Sequence, residues 1–243
     1  MRYLVKISYD GTNFQGYQRQ PGERCVEEYI MNAVKSINNN QDTKVTSASR
    51  TDRGVHALSQ YASFELSVDI TEYKLKCAMN SLIPDDIHII DAKEVPDEFH
   101  PRYMAKKKTY LYIINEGEYE PTRRTYELQY GKKLDVDKMK KAIKKYEGIH
   151  DFKSFVSNEA VKESYEREIY ETSIEEVNNK LYIRFTGNGF MKYQVRNMVG
   201  TLIRIGNGKY EEDIIDKIFA DESNQKFVYT AKSEGLYLEN IEY

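Results

Sequence analysis

The chain has no tryptophan, only two cysteines and only five prolines in 243 residues. Cys25 and Cys77 are too few for a disulfide scaffold or a cysteine-based zinc site. No apolar run approaches the length that spans a bilayer, and no proline-rich or low-complexity tract marks a linker. The opening Met1-Arg2-Tyr3-Leu4-Val5-Lys6-Ile7 alternates as a strand does, without the apolar core of a signal peptide. These features lead to the expectation of a soluble, cytoplasmic protein. The four histidines, His56, His88, His100 and His150, form no ligand pair at helical spacing, so no metal is expected. Gly206-Asn207-Gly208-Lys209 lacks the first glycine and the final hydroxyl of a phosphate loop. Gly187-Asn188-Gly189 lacks the third glycine of a dinucleotide fingerprint. No nucleotide cofactor is expected.

What the chain has is a 40% hydrophobic content, 21 tyrosines and nine phenylalanines, enough to bury a core. The net charge is −3, which argues against coating nucleic acid by bulk attraction. The charge is nonetheless uneven. Residues 101–133 carry eight Lys/Arg against four Glu, with six tyrosines interleaved, whereas 211–243 carry nine acids against three lysines. A basic, tyrosine-rich stretch suits a phosphate backbone, and equally a solvated face.

Periodicity gives an order of elements. A strand covers Tyr3, Val5 and Ile7, and a helix carries Val26, Tyr29, Ile30, Ala33, Val34 and Ile37 on one face before Asn38-Asn39-Asn40 stops it. Strands are expected at 44–49 and 57–66, a helix at 72–82 and a strand at 87–95. The second half begins with a strand at 109–115 and a hairpin partner near 126–130. A helix then starts near Asp135 or Asp137, followed by strands at 169–177 and 181–186. Helices near 191–205 and 210–219 and a strand at 236–243 complete it. The fold class is α+β, with two tandem ferredoxin-like β-α-β-β-α-β halves, 1–105 and 106–243, their sheets side by side. That topology selects no function by itself.

Two features stand out chemically. In Ser49-Arg50-Thr51-Asp52-Arg53-Gly54-Val55-His56-Ala57, a carboxylate lies between two arginines in a tight turn. Flanking cations favour an ionised carboxylate nucleophile; a turn aspartate that bonds its own backbone is the plainer reading. Arg196 is the only charge between Lys192 and Arg204 in an apolar helix, so it either pairs with an acid or snorkels to the edge.

At this point the motifs match a family. Arg50–Ala57 resembles the active-site segment of TruA-type tRNA pseudouridine synthases. So do Tyr9-Asp10-Gly11-Thr12-Asn13-Phe14-Gln15-Gly16-Tyr17-Gln18-Arg19-Gln20 and Asn80-Ser81-Leu82-Ile83-Pro84-Asp85-Asp86-Ile87. Phe99-His100-Pro101-Arg102-Tyr103, Lys106 to Tyr112, His150 to Phe155, Gly187 to Gly200 and Gly235-Leu236-Tyr237-Leu238 continue the series in family order. The resemblance implies a pseudouridine synthase fold and an enzyme that isomerises uridine to pseudouridine without a cofactor, in the anticodon stem-loop of tRNA at positions 38 to 40. It implies that Asp52 is the catalytic carboxylate, Arg196 its orienting partner and Tyr110 the active-site tyrosine. Arg50, Arg53, Lys106, Lys107, Lys108, Arg123 and Arg124 are expected to meet RNA, and a homodimer is expected to hold the tRNA. His56 is expected to be structural or to touch a sugar. Arg53, Tyr17 and Lys232 depart from the residues common in the family (Ala, Trp and Pro), and Arg53 and Tyr17 are expected near the RNA path. A tandem RRM-like binding module would need an RNP1 octamer, which no strand carries. A glycoside hydrolase would need a second acid near Asp52, which no feature nominates.

Overall fold

A computed structural model describes residues 1–156 and 164–243. By contact the chain forms two units, Met1–Lys106 with Leu238–Tyr243, and Lys107–Tyr237. The sequence reading divides the chain one residue earlier and assigns the last strand to the second half. In the structure that strand clusters with the first unit from Leu238 onward.

The first unit runs β1 (Arg2–Tyr9), α1 (Val26–Ile37), β2 (Thr46–Ser47), β3 (His56–Glu65), α2 (Glu72–Leu82) and β4 (Ile87–Val95). Its sheet has the order β4-β1-β3, with β10 (Leu236–Glu242) and β2 also beside β3, and β1 antiparallel to both neighbours. Tyr3, Val5, Ile7 and Tyr9 are buried along β1. α1 presents Val26, Ile30, Ala33 and Val34 inward and ends where Asn39 and Asn40 take positive φ, a conformation asparagine tolerates. Thr71 caps α2 by accepting from the Lys74 N–H. The Asn80 amide on α2 donates to the Ile89 carbonyl and accepts from the Ile89 N–H, beside a register shift between β1 and β4. That pair of bonds pins α2 to β4.

The six-residue strand expected at 44–49 shrinks to two residues. Beyond Ser47, the fully buried Gln60 side chain accepts from the Ser49 N–H and donates to the Ser49 carbonyl, replacing strand pairing with a side-chain clamp. The clamp releases the chain into the turn that carries Asp52.

The second unit runs β5 (Lys107–Asn115), β6 (Leu128–Gln129), α3 (Val136–Ile143), β7 (Gly148–Asp151), β8 (Glu166–Val177), β9 (Lys180–Gly187), α4 (Gln194–Gly206) and α5 (Ile214–Ala220). The order β5-β9-β8-β7 is antiparallel throughout. The β8–β9 hairpin turns on Asn178 and Asn179, both at positive φ, as a two-residue hairpin requires. Asp135 caps α3 by accepting from the Lys138 N–H. The partner expected near 126–130 is not a hairpin strand: β6 runs parallel to β5. The Asn115 side chain ties down the connecting loop at Gly117 and Glu118, and the chain returns in the same direction as β5. α4 is buried along nearly its whole length, and Tyr146, Phe152, Phe155, Phe185 and Phe219 form a cluster of edge-on ring contacts. No helix among the described residues is long and apolar enough to cross a membrane.

Candidate active site

In the first unit, the Asp52 turn is built largely by backbone. The Val55 N–H donates to the Asp52 carbonyl (3.2 Å), and Gly54 supplies the positive φ (+74°) that lets the chain reverse. The Tyr9–Gln20 segment wraps this turn. Gly54 N donates to Phe14 O (3.2 Å), and Tyr17 N to Thr51 O (3.1 Å). A Cβ on Gly11 would stand 2.0 Å from the Val55 carbonyl oxygen, and one on Gly16 would stand 2.8 Å from that of Thr51. Both glycines are where they are because two backbones touch there. The Tyr9 hydroxyl and Thr51 Oγ1 are 2.8 Å apart in a buried hydrogen bond, fixing the residue before Asp52. His56 is buried, with Nδ1 3.1 Å from Gly11 N and 3.2 Å from Asp10 Oδ1, a structural placement as the sequence reading anticipates. Asp86 binds this assembly from behind. Its carbonyl accepts from Asp10 N, and its carboxylate takes both Arg24 nitrogens at 2.8 and 3.0 Å while Arg24 lies over the Phe14 ring. Two of the sequence motifs thus meet backbone to backbone around one half-exposed aspartate, and the third, through Asp86, ties down Asp10 and Arg24. Sequence reasoning identified all three but not that the first serves as the cradle of the second.

Arg50 and Arg53 project from the same turn and are exposed, as is Lys106. Tyr17 belongs to the wrapping segment. It is 0% exposed, and among the described residues its hydroxyl has no hydrogen-bond partner. Burial, followed by the nearby Glu27 carboxylate, pushes its pKa well up. An unpartnered buried hydroxyl is a net cost of about 1–3 kcal/mol. Tyr17→Phe is therefore expected to raise the thermal midpoint, by up to several degrees; a lowered midpoint in differential scanning calorimetry would mean that the hydroxyl has a partner.

In the second unit, Arg196 is half-buried on the first turn of α4. Its Nε donates to Ala231 O (2.8 Å), its own carbonyl accepts from Ala231 N (2.9 Å), and its guanidinium lies 4.9 Å from the Tyr193 ring centre. Tyr193 takes φ +66°, a left-handed conformation costly for a bulky residue, and so starts the helix from a strained point. The 229–231 segment lies so close that a Cβ on Gly200 would stand 1.7 Å from Tyr229 O. Asn197 completes the clamp, donating to Phe155 O and accepting from Thr230 Oγ1. Tyr110 is buried in β5 with its ring edge-on to Phe190 (5.2 Å). Lys107 is exposed and Lys108 is buried. Arg123 lies 3.7 Å from Glu127, and Arg124 donates to the Pro121 carbonyl within its own turn. Among the described residues no three His, Cys, Asp or Glu side chains converge as a metal site requires.

A family model described as tRNA pseudouridine synthase matches residues 6–104 and 142–243. Proteins described as tRNA pseudouridine synthase A from Streptococcus pneumoniae strain 70585 and from its serotype 4 strain are each 42% identical to this chain over 245 aligned positions, covering 100% of the chain and 98% of theirs. A solved Cbf5-Nop10-Gar1 complex aligns over 95% of this chain and 70% of its own at 12% identity and a TM-score of 0.35, too loose to carry an argument. The matched span takes in the Asp52 turn, its Tyr9–Gln20 cradle and the Arg196 helix alike; by the full-length relatives and the family model together, the chain belongs to the tRNA pseudouridine synthases, a family of isomerases.

Proposed function

We propose that this enzyme converts uridine to pseudouridine in the anticodon stem-loop of tRNA, at positions 38 to 40, using Asp52 as its catalytic carboxylate and no cofactor. In this reaction the N1–C1′ bond breaks, the base turns, C5 bonds to C1′, and the C5 proton is lost as N1 gains one. The uridine must leave its stack first, at a cost of a few kcal/mol. The observation that carries the reading is the packing of Tyr9–Gln20 on the Asp52 turn, which spends two close glycine contacts on fixing the backbone that bears the carboxylate. An ordinary surface turn needs no such support. The carboxylate either attacks C1′ or takes a proton from C2′. Arg196 is assigned the compensating cation and Tyr110 the ring that faces the base. The anchoring of Arg196 to Ala231 and the packing of Tyr110 on Phe190 support these roles by fixing both side chains before substrate arrives. Lys106, Lys107, Arg50, Arg53, Arg123 and Arg124 are assigned to the RNA backbone, and Lys108, which is buried, is not.

The reading extends to architecture and setting: two ferredoxin-like units in tandem, acting as a homodimer in the cytoplasm. The β-α-β-β-α-β order of the first unit supports the first of these. Light scattering checks the dimer, with a mass near twice 28.5 kDa expected and a fully active monomer contradicting it. Mapping pseudouridine in tRNA from cells with and without the gene tests the target. Loss confined to positions 38 to 40 is expected; loss elsewhere would overturn the assignment of the stem-loop.

A further inference from the structure

The segment Phe99-His100-Pro101-Arg102-Tyr103 belongs to no strand or helix and has no part in the catalytic reading, yet it is rigidly built. Phe99 N donates to Pro96 O and Met104 N to His100 O. Arg2 donates to the Phe99 carbonyl (3.1 Å) and the Tyr243 hydroxyl to that of Pro101 (2.9 Å). His100 Nδ1 accepts from the backbone N–H groups of both Arg102 and Tyr103, at 3.2 and 3.3 Å. This ordering presents two side chains that lack protein partners suited to them. Tyr103 is 80% exposed, its ring lying 4.2 Å from the His100 ring at 31°, so one face is covered by an aromatic and the other is open. Arg102 is half-buried, yet its guanidinium makes no hydrogen bond or ion pair among the described residues, and neither does that of Arg50. The acid close to Arg102, Glu27, is already engaged by the Arg19 N–H (2.8 Å). Burial, then the Arg50 charge, lowers the Arg102 pKa, so an external anion would relieve both.

We infer that this segment is a nucleotide-binding site for RNA: Arg102 holds a phosphate, and the open face of Tyr103 stacks an unpaired base of the same strand. The inference rests on the proposed RNA substrate and adds a contact site to it. A half-buried guanidinium without a carboxylate suits bidentate phosphate binding. An exposed ring already backed by a second aromatic is a pre-ordered platform for a base.

The absence of tryptophan supplies the test. Tyr103→Trp creates a single tryptophan, excited selectively at long wavelength, and an unmodified tRNA transcript is expected to quench it saturably, by about half or more, as a stacked base does. Tyr73→Trp, on α2 and 75% exposed, serves as the comparison and is expected to keep its emission. Adding Arg102→Gln to Tyr103→Trp is expected to weaken binding about tenfold and reduce the salt slope of the affinity by about one. In the otherwise native chain, Tyr103→Phe keeps affinity and Tyr103→Ala loses about tenfold. Absent quenching, or equal affinities for Phe and Ala, would overturn the site. Wild-type turnover of uridine measured on the same transcript separates the two readings. Turnover without quenching overturns the nucleotide site alone, and quenching without turnover upholds it while overturning pseudouridylation.

Discussion

Asp52→Asn is expected to abolish pseudouridine formation, by about three orders of magnitude or more in single-turnover rate, while tRNA affinity stays within about threefold of wild type. The amide matches the carboxylate in size, and the turn around it is closed by main-chain bonds, Val55 N to Asp52 O, Gly54 N to Phe14 O and Tyr17 N to Thr51 O. The fold should therefore keep its thermal midpoint. What the amide lacks is the charge and basicity that either mechanism requires, attack at C1′ or proton removal at C2′. In the proposed reading, RNA affinity rests on arginines and lysines that the substitution leaves alone. Residual turnover within tenfold of wild type would remove Asp52 from the chemistry and return it to an ordinary turn residue.

The second large effect concerns Arg196. Arg196→Ala is expected to cut the rate about a hundredfold or more, the usual loss when one preorganised donor leaves a site. It also removes the bond from Nε to Ala231 O, so stability should fall by about 1–2 kcal/mol. Arg196→Lys keeps the charge and loses the planar fork, and should fall between the alanine variant and wild type in rate. Arg204→Ala separates catalysis from packing. Arg204 lies 4.2 Å from the Tyr229 ring centre on the same helix, so its loss should cost about 0.5–1 kcal/mol of stability with little change in rate. Equal rates for the two alanine variants would make Arg196 a structural arginine and overturn its assignment as the compensating cation.

How much of this was legible in the sequence differs by kind of information. α1 and α2 lie where the apolar periodicity places them, 26–37 and 72–82, because each has a one-sided apolar face and a chemical stop or cap, the asparagine run and Thr71. β4 likewise spans the expected 87–95. β7 escaped notice because Gly148-Ile149-His150-Asp151 is an edge strand with almost nothing buried, leaving no alternation to read. β2 and β6 were misjudged because side-chain amides, Gln60 and Asn115, replace or redirect backbone pairing, and composition does not reveal such bonds. At the site, the motif residues were recognisable from the resemblance. The role of Gly11 and Gly16 was not, since it consists of contact between two backbones distant in sequence.

The central claim, that this chain isomerises uridine in tRNA through Asp52, is tested most directly by tritium release. Bond formation between C5 and C1′ expels the hydrogen at C5, so tRNA carrying 5-tritiated uridine should release tritium to water with the wild-type protein in a buffer containing a chelator and no nucleotide. The account predicts release that plateaus at the number of modified uridines per tRNA, and none above background with Asp52→Asn. No release by the wild-type protein, or equal release by both, would contradict it.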